Sequence, residues 1–574
     1  MNAARPSGPL RWCLAGAATG LLEIAAFPPL GADLLILVAF VPLLLGLGRW
    51  GERGFLPGFL LAQALQGGAQ LFWITSMTTV GALAWLGWAL IAGLYLLFSL
   101  PLAWLLRRAC LRARLAPWAV LAVVIPGHEI LREWALEGLS WASPGYALGN
   151  RPLLVQAAEL GGVPLVSAAV LLVNGGLAAL VARERSRRDR GAALAAAVLA
   201  ALLTVAFGAW RLRGVSEAEV EGPRLLGIQP NVTLEERREA ASRGLSPSWH
   251  FLERQLALVE RGRREAKGPI DLVVWPESSL PPLDDARRAS APVAWTPEQL
   301  FASRSSGGGR GLAEGFARAT GLDAAARRTG EGAPRHLAGL QIYSDRGEGE
   351  EEATGKGHSE RNAAILLAHR DGGLVEEGRY AKRALVPFGE RVPGIPFRAE
   401  LLDLIRERSG FTPAHTPGTS DGVMRLGPAG PRFGVTICYE IIFPKLFAEA
   451  RRHGADFYVN VSNDVWYGDS AEMKLVHLAL RFRAIENRRA IFRAGNTGIS
   501  ALIDAAGRER AVVSVDGRRE RVAGVYSARV PVGDPPRAPD GAGWSVRAVF
   551  AAASILLSLA AAFGKSFRRE DLGL

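Results

Sequence analysis

Long uncharged segments dominate the first part of the chain, whereas charged residues are frequent in the rest. A helix needs about 20 apolar residues to cross the hydrocarbon core of a bilayer. Seven runs of this kind precede the polar region, and they are centred near Ala18, Leu37, Gln66, Ala92, Val124, Leu172 and Ala201. An eighth covers residues 543 to 564. The pattern predicts a bundle of about eight transmembrane helices, with an N-terminal part over 1–215 and a last helix and tail over 542–574.

The polar region between residues 216 and 541 alternates short β-rich runs with helical stretches. Runs such as LVVW, FGVTI and FYVNV are bounded by polar or turn residues, which is typical of buried strands in an α/β fold. Residues 284–335 are rich in Gly, Ala and Arg and show weak periodicity, so we interpret them as a flexible insertion. The region is therefore predicted to be one α/β domain with an inserted segment.

The distribution of positive charge predicts how the helices are oriented. A net charge of +12 would suit a nucleic-acid-binding surface, but many arginines lie in short loops between apolar runs, such as 107–114 and 183–190. By the positive-inside rule these loops face the cytoplasm, together with both termini. An odd number of preceding spans then places residues 216–541 on the opposite side. We expect no nucleic-acid partner.

Three predicted strand ends carry reactive side chains. Glu277 follows the run LVVWP, Lys382 precedes a Pro-Phe-Gly turn, and Cys438 ends the run FGVTI. Taken singly, a cysteine in an apolar strand is usually a small apolar side chain, and a charged residue at a turn is usually solvated. A cysteine nucleophile, however, needs a base to form the thiolate and a cation to hold developing negative charge. The combination predicts a Glu-Lys-Cys site.

The residues around these positions resemble the nitrilase, or carbon–nitrogen hydrolase, superfamily. Three longer strings are more specific, because they resemble the membrane branch of the superfamily, the apolipoprotein N-acyltransferases. They are KRALVPFGERVP, VSNDVWYGDS and RAIENRRAIFRAGNTGISA. The resemblance extends to HEILREW and SPGYAL in the apolar part and covers almost the whole chain, departing mainly in the insertion after Glu277. It implies a four-layer αββα sandwich for the polar domain.

The resemblance also implies a reaction and a role for each residue. Glu277 acts as general base, Lys382 stabilises the oxyanion, and Cys438 forms a thioester with an acyl chain from a phospholipid. The acyl chain then passes to the α-amino group of the N-terminal diacylglyceryl-cysteine of an apolipoprotein. Supporting roles are implied for Glu390, Tyr439 and Glu440, and substrate contacts for Trp249, Asn463, Trp466 and Tyr467. We expect no metal or cofactor, and a monomer in the bacterial inner membrane with its catalytic domain in the periplasm.

Two other interpretations stay open. A membrane-anchored amidase of the same fold would hydrolyse small amides, with water resolving the acyl-enzyme, although an anchor needs one span rather than eight. A transporter or scaffold whose polar domain only binds would leave the three reactive residues without a role. Transporters usually show broken or charged helices in matched halves, and a functional Cys438→Ala variant would favour this interpretation.

Overall fold

The structure is a computed structural model that divides the chain into two compact units. The described residues are 8–50, 52–77, 81–136, 138, 141, 143–182, 186–244, 250–280, 283–284, 334–345, 358–370, 373–392, 394, 398–409, 413–535 and 542–563. One unit, called here the helical unit, comprises 1–217, 469–488 and 535–574. The other, the α/β unit, comprises 218–468 and 489–534.

Ten α-helices with described residues build the helical unit. They are α1 (Gly8–Ala26), α2 (Val41–Arg49), α3 (Phe55–Gln70), α4 (Ala82–Leu106), α5 (Pro117–Ala135), α6 (Pro152–Val155), α7 (Ala158–Val181), α8 (Arg187–Ala218), α13 (Glu472–Asn487) and α14 (Ala542–Phe563). Among the described residues, four helical segments are long and apolar enough to cross a membrane, namely Ala82–Arg112, Ala158–Val181, Arg187–Ala218 and Gly543–Ala560. The helical N-terminal region is confirmed, whereas the full set of eight spans is not.

The segment around Leu37 differs most from the prediction of a long helix. It forms a 3₁₀ turn over Asp33–Leu37, followed by α2, which has only nine residues. Pro42 lies in the first turn of α2, where its fixed φ and missing N–H favour the start of a helix. At a rise of about 1.5 Å per residue, α2 alone is too short to cross the hydrocarbon core.

Helix α13 lies in the helical unit, although the prediction kept its residues within the polar domain. Nearly every side chain of α13 is buried. Phe482 packs edge-on against Tyr146, with ring centroids 5.1 Å apart. Gly149 lies so close to the helix that a Cβ there would be 3.0 Å from the side chain of Leu478. A helix buried on all sides shows no one-sided apolar pattern, so its sequence does not reveal its neighbours.

Two sheets form the α/β unit. The first contains β1 (Val220–Gln229), β2 (Leu272–Val274), β3 (Leu283–Asp284), β4 (Arg335–Asp345), β5 (His358–Arg370), β6 (Gly373–Ala381) and β13 (Gly524–Val532), with the strand order β13-β1-β2-β4-β5-β6 and β3 paired to β4. The second contains β7 (Val423–Arg425), β8 (Arg432–Ile437), β9 (Phe457–Ser462), β10 (Ile491–Gly495), β11 (Ala501–Ile503) and β12 (Glu509–Val512), in the order β12-β11-β10-β9-β8-β7. Helices α9 (Leu234–Ser242), α10 (Leu252–Glu265), α11 (Arg398–Ser409) and α12 (Pro444–Arg452) complete the unit.

The sheets pack face to face and carry helices on their outer faces. Leu225 and Leu366 of the first sheet share one buried cluster with Val435 and Phe492 of the second. A second cluster joins the opposite face of the first sheet to α10, including Val259. On the second sheet, Phe447 of α12 packs edge-on against Tyr458, with ring centroids 4.9 Å apart. This order of layers is the predicted αββα sandwich. Residues 285–333 of the predicted insertion lie outside the described residues.

Strand register brings several strand ends to one place. Strands β8 and β9 are parallel, and Ile437 pairs with Val461, so Cys438 and Asn463 both follow the carboxyl ends of neighbouring strands. In the first sheet, Ala363 of β5 pairs with Ala381 at the end of β6. Lys382, the next residue after β6, therefore lies beside Asn362, and its backbone N–H donates a hydrogen bond to the Asn362 carbonyl at 2.8 Å.

Candidate active site

The three residues predicted to carry the chemistry share one buried site in the α/β unit. Glu277 follows β2, Lys382 follows β6 and Cys438 follows β8. The side-chain nitrogen Nζ of Lys382 lies 3.6 Å from Oε1 of Glu277. Both charged groups act electrostatically on the Cys438 thiol, and all three side chains are buried. The structure therefore brings together residues that are 161 positions apart along the chain, from 277 to 438.

Hydrogen bonds hold both carboxylate oxygens of Glu277. Its Oε1 accepts a hydrogen bond from Nδ2 of Asn362 at 2.6 Å, and its Oε2 accepts one from the backbone N–H of Asn463 at 2.7 Å. The backbone of β4 approaches this turn closely, since a Cβ at Gly339 would lie 2.5 Å from Cα of Glu277. The carboxylate is thus positioned by groups from both sheets.

Lys382 lies between two carboxylates. Its Nζ is 2.8 Å from Oε1 of Glu390, and the same oxygen accepts a hydrogen bond from Asn362 at 3.0 Å. The second oxygen of Glu390 accepts a hydrogen bond from the backbone N–H of Val386 at 2.8 Å. Burial by itself would lower the pKa of Lys382, but the carboxylates of Glu390 and Glu277 raise it above its ordinary value. Lys382 therefore stays a cation.

Cys438 occupies a strained turn at the end of β8. Its φ of 49° lies in the left-handed region, which costs a non-glycine residue on the order of 1–3 kcal/mol. Glu440 holds this turn, because its Oε2 accepts a hydrogen bond from the backbone N–H of Ile437 at 2.8 Å. Its Oε1 accepts from the hydroxyl of Tyr380 at 2.7 Å and from two backbone N–H groups directly after Lys382. One buried carboxylate thus connects the cysteine turn to the lysine segment.

Burial controls the protonation states of the site. It raises the pKa of Glu277 above its ordinary value, although Lys382 opposes the shift. Burial also raises the pKa of the Cys438 thiol, and the Glu277 carboxylate raises it further. At rest the cysteine is therefore a neutral thiol that needs a base. A carboxylate with a raised pKa is well suited to accept its proton.

Tyr439, predicted to support catalysis, directly follows the nucleophile. Its ring packs edge-on against Phe443, with ring centroids 5.3 Å apart and an interplanar angle of 74°. The side chain lies partly buried against the core between the two sheets. Both of these are apolar packing contacts, so a catalytic role for Tyr439 stays a prediction.

The predicted substrate contacts lie mainly on the segment that follows β9. Asn463 is buried and donates its backbone N–H to Glu277. Tyr467 is also buried, whereas Trp466 is 40% exposed. Trp249 lies outside the described residues. Substrate binding by these four residues stays a prediction.

The sequence interpretation missed Asn362. Its amide nitrogen donates to both Glu277 and Glu390 and so connects the predicted base to the partner of Lys382. Asn362 lies on β5 at the start of the apolar run AAILLA. A polar residue at the edge of a buried strand was the available signal, but its partners are remote in sequence.

A second polar network behind the cysteine turn was also missed. Ser462 lowers the pKa of the Cys438 thiol against the effect of burial, and its hydroxyl donates a hydrogen bond to Oδ1 of Asp464 at 2.6 Å. The guanidinium of Arg493 contacts both carboxylate oxygens of Asp464, at 2.7 and 3.0 Å. All of these side chains are buried. The network supports the nucleophile from the second sheet.

The reactive groups at the site are a thiol, two carboxylates and an ammonium group. Within the described ranges, no three His, Cys, Asp or Glu side chains lie close enough together to hold a metal ion. Nucleophilic chemistry at Cys438, with proton transfer through Glu277, is what this arrangement can perform.

Family models define the class of protein. Residues 239–516 match the carbon–nitrogen hydrolase family model, and residues 19–176 match the model of the apolipoprotein N-acyltransferase N-terminal domain. The first match agrees with an αββα sandwich that carries Cys438 at a strand end. The α/β unit is therefore a nitrilase-like domain of the carbon–nitrogen hydrolase class.

Known relatives narrow the class to one family. An apolipoprotein N-acyltransferase of Geobacter metallireducens is 31% identical, over 88% of this chain and 87% of the relative. One of Pseudomonas syringae pv. tomato is also 31% identical, over 86% of each chain. The chain belongs to the apolipoprotein N-acyltransferase family. It is an acyltransferase, and its apolar helices agree with the membrane character of this family.

Solved structures with some similarity include members of the nitrilase superfamily. A cysteine-to-serine mutant of the Nesterenkonia AN1 amidase is 15% identical, covers 54% of this chain and 92% of its own, and has a TM-score of 0.33. Nit3 of Saccharomyces cerevisiae is 17% identical, covers 58% and 95%, and has a TM-score of 0.32. The family assignment does not depend on these two.

Proposed function

We propose that Glu277, Lys382 and Cys438 carry out the N-acylation of apolipoproteins for which the family is named. The donor is a phospholipid, and the acceptor is the α-amino group of the N-terminal diacylglyceryl-cysteine of an apolipoprotein. The observation that carries the assignment of residues is the shared buried site in which Lys382 lies 3.6 Å from Glu277 and both act on the Cys438 thiol. The family relationship supplies the substrates.

The first half-reaction transfers the acyl chain to the enzyme. The Glu277 carboxylate takes the thiol proton, and the Cys438 sulfur forms a bond to the ester carbonyl carbon of the phospholipid. Lys382 stabilises the negative charge that develops on the carbonyl oxygen. When the tetrahedral intermediate collapses, the ester C–O bond breaks, and Glu277 returns the proton to the departing lysophospholipid. The product is a thioester on Cys438.

The second half-reaction transfers the acyl chain to the acceptor. The neutral α-amine forms a bond to the thioester carbonyl carbon, Glu277 accepts one amine proton, and the C–S bond breaks. The proton then returns to the Cys438 sulfur, so the site is regenerated and an amide has formed. A thioester is more reactive toward an amine than an oxygen ester, so the cysteine divides one difficult aminolysis into two easier steps.

The charge states of these side chains favour the proposed roles. A thiol whose pKa is raised by burial is protonated before substrate binds, so it needs a base. Glu390, whose pKa is lowered by Lys382 against the effect of burial, stays ionised and keeps the ammonium in place. Glu277 is the remaining carboxylate beside the thiol. Glu390 and Glu440 would then act as positioning residues.

Topology and assembly complete the proposal. We infer about eight spans in the bacterial inner membrane, both termini in the cytoplasm, the α/β unit in the periplasm, and a monomer. Support comes from the four long apolar helices and from the arginine-rich stretches between apolar segments of the sequence. Labelling with a membrane-impermeant maleimide tests this orientation, at single cysteines placed within 107–114 and 183–190 of a variant whose native cysteines have been replaced.

The amidase alternative is not better supported. It shares the nitrilase-like domain, but residues 19–176 match the model of the apolipoprotein N-acyltransferase N-terminal domain, which an enzyme that needs only a membrane anchor would not require. The discriminating experiment incubates the purified protein in detergent with phospholipid that carries a labelled fatty acid. We expect hydroxylamine-labile label on the wild type and none on Cys438→Ala. Absence of label on both, together with release of ammonia from small amides, would favour the amidase.

A further inference from the structure

An arginine on which the Glu277 carboxylate acts electrostatically makes no salt bridge to any residue that the structure describes. Arg237 is on α9, and its side chain is only partly exposed. Its Nε is buried without a hydrogen-bond partner, and within the ranges that the structure describes the guanidinium makes no salt bridge. Burial lowers the pKa of Arg237, although the carboxylates of Glu277 and Glu236 oppose this shift. The positive charge is therefore incompletely compensated in the structure as it stands.

A rigid connection holds α9 at the edge of the site. The side chain of Asn496 exchanges two hydrogen bonds with the backbone of Val232, each 2.8 Å long, directly before α9 begins. The same side chain donates to Oδ1 of Asn463 at 2.9 Å, and the backbone N–H of Asn463 donates to Glu277 at 2.7 Å. The start of α9 and the catalytic carboxylate are thus linked through two asparagines. Arg237 lies about one helical turn beyond this anchor.

The acidic neighbours of Arg237 are already engaged by other groups. Glu236 accepts hydrogen bonds from Arg254, the shortest being 2.6 Å, and from the backbone N–H of Thr233 at 2.8 Å. Glu277 is occupied by Asn362 and Asn463 and lies near Lys382, as described above. Neither carboxylate is placed to neutralise Arg237 by direct contact. Among the described residues, no carboxylate is in direct contact with the guanidinium.

We propose that Arg237 binds the phosphodiester group of the donor phospholipid and thereby helps to select the donor. A guanidinium presents a planar fork of donors that matches phosphate oxygens. This inference rests on the proposed function, in which the donor phosphodiester is the anionic group nearest the reacting ester. The acceptor, in contrast, reacts through a neutral amine and carries uncharged acyl esters. Arg237 would act in the first half-reaction only.

The test compares two donors that differ in the phosphate. Dipalmitoyl phosphatidylglycerol and dipalmitoylglycerol, both with a labelled palmitoyl chain, are presented in mixed micelles of a neutral detergent. The measured quantity is the rate of thioester formation on Cys438 in the wild type, Arg237→Gln and Arg237→Lys. Arg238→Gln is the matched control, since Arg238 is an exposed arginine on the same helix.

We expect Arg237→Gln to raise KM for phosphatidylglycerol by about ten- to a hundredfold, the value of a hydrogen bond to a charged group, with little change in kcat. Its use of dipalmitoylglycerol should be unchanged. Arg237→Lys, which keeps the charge without the fork, should lie in between, and Arg238→Gln should match the wild type. An equal loss on both donors, or no loss on either, would overturn the proposal.

A binding measurement separates this proposal from the proposed function. In a Cys438→Ala background no thioester can form, and affinity for lysophosphatidylglycerol and for monopalmitoylglycerol is measured by isothermal titration in the same micelles. Arg237→Gln should weaken only the binding of lysophosphatidylglycerol. If the enzyme formed no thioester with either donor, the acyltransfer mechanism would fail, while this titration would still decide whether Arg237 binds phosphate.

Discussion

Replacing Asn362 with leucine tests whether this residue sets the proton affinity of the catalytic base. Leucine is close to asparagine in size but cannot donate a hydrogen bond. The variant removes the donor at 2.6 Å from Glu277 and at 3.0 Å from Glu390, and it leaves the contacts of both carboxylates with Lys382 in place. The perturbation is therefore confined to one shared donor.

The magnitude follows from the charge of the acceptor. A hydrogen bond to a charged group contributes about 1.5–3 kcal/mol, and about 1.4 kcal/mol corresponds to one pKa unit. Burial already raises the pKa of Glu277, and Asn362 is one of the groups that lower it. Its removal should raise this pKa further. Glu277 must be ionised to accept the thiol proton, so the acid limb of the rate profile should move to higher pH, and the rate on that limb should fall by about ten- to a hundredfold.

The assay is the pH dependence of thioester formation from labelled phospholipid, over about pH 5 to 9, which brackets neutral operating pH. Asn362→Asp should move the acid limb further, because it adds a third carboxylate beside Glu277 and Glu390. Asn487→Leu is the control: it removes a buried amide of α13 that donates to the Arg483 carbonyl at 2.9 Å. It should lower thermal stability without moving the acid limb.

One result would refute the reasoning. If Asn362→Leu lowered the rate by the same factor at every pH, the acid limb would be independent of the hydrogen bond to Glu277. Asn362 would then support the structure of the site without tuning its base. A shift of the acid limb toward lower pH would contradict the sign of the argument.

Three further predictions concern stability, read as thermal unfolding in detergent. Glu440→Gln replaces an accepting carboxylate oxygen with an amide NH₂ that faces N–H and O–H donors, so it should destabilise the protein by about 2–4 kcal/mol. An unchanged Tm would contradict this. Gly498→Ala places a Cβ in steric conflict with Oδ2 of Asp464, and it should cost about 1–3 kcal/mol and slow thioester formation. Wild-type values would show that the site can relax. Arg488→Met removes one of two guanidinium partners of buried Glu159 and should cost up to about 3–5 kcal/mol. Adding Glu159→Gln should recover part of that loss, and a further loss would argue against the ion pair.

Local sequence patterns were sufficient to predict an α/β domain and to single out Glu277, Lys382 and Cys438 as candidates. Apolar runs bounded by turn residues mark β8 and β9 because a strand buried on both faces must be apolar throughout. Glu277, Lys382 and Cys438 stand out because each is a reactive side chain directly after such a run or beside a turn. Their signal is local, so it could be read without knowing which strands are neighbours.

Tertiary structure decided which other residues join them. Asn463 donates to Glu277 across 186 positions of sequence, and Asn362 across 85. Neither contact follows from local propensity, because it depends on how two sheets pack. That Arg237 makes no salt bridge to the described residues is also a tertiary property, since it depends on which carboxylates other groups have already engaged.

The helical unit shows the same division. Apolar length in the sequence predicts that helices form, because a long run without charges has few other stable states in a membrane. Apolar length does not predict where one apolar run breaks into shorter helices, as the nine-residue α2 shows. Nor does it predict that α13 packs among helices that are remote from it in sequence. Hydrophobicity is a property of each segment by itself. Which segments pack together depends on complementary shape and on hydrogen-bond partners for buried polar groups, and both of these arise only when the chain folds.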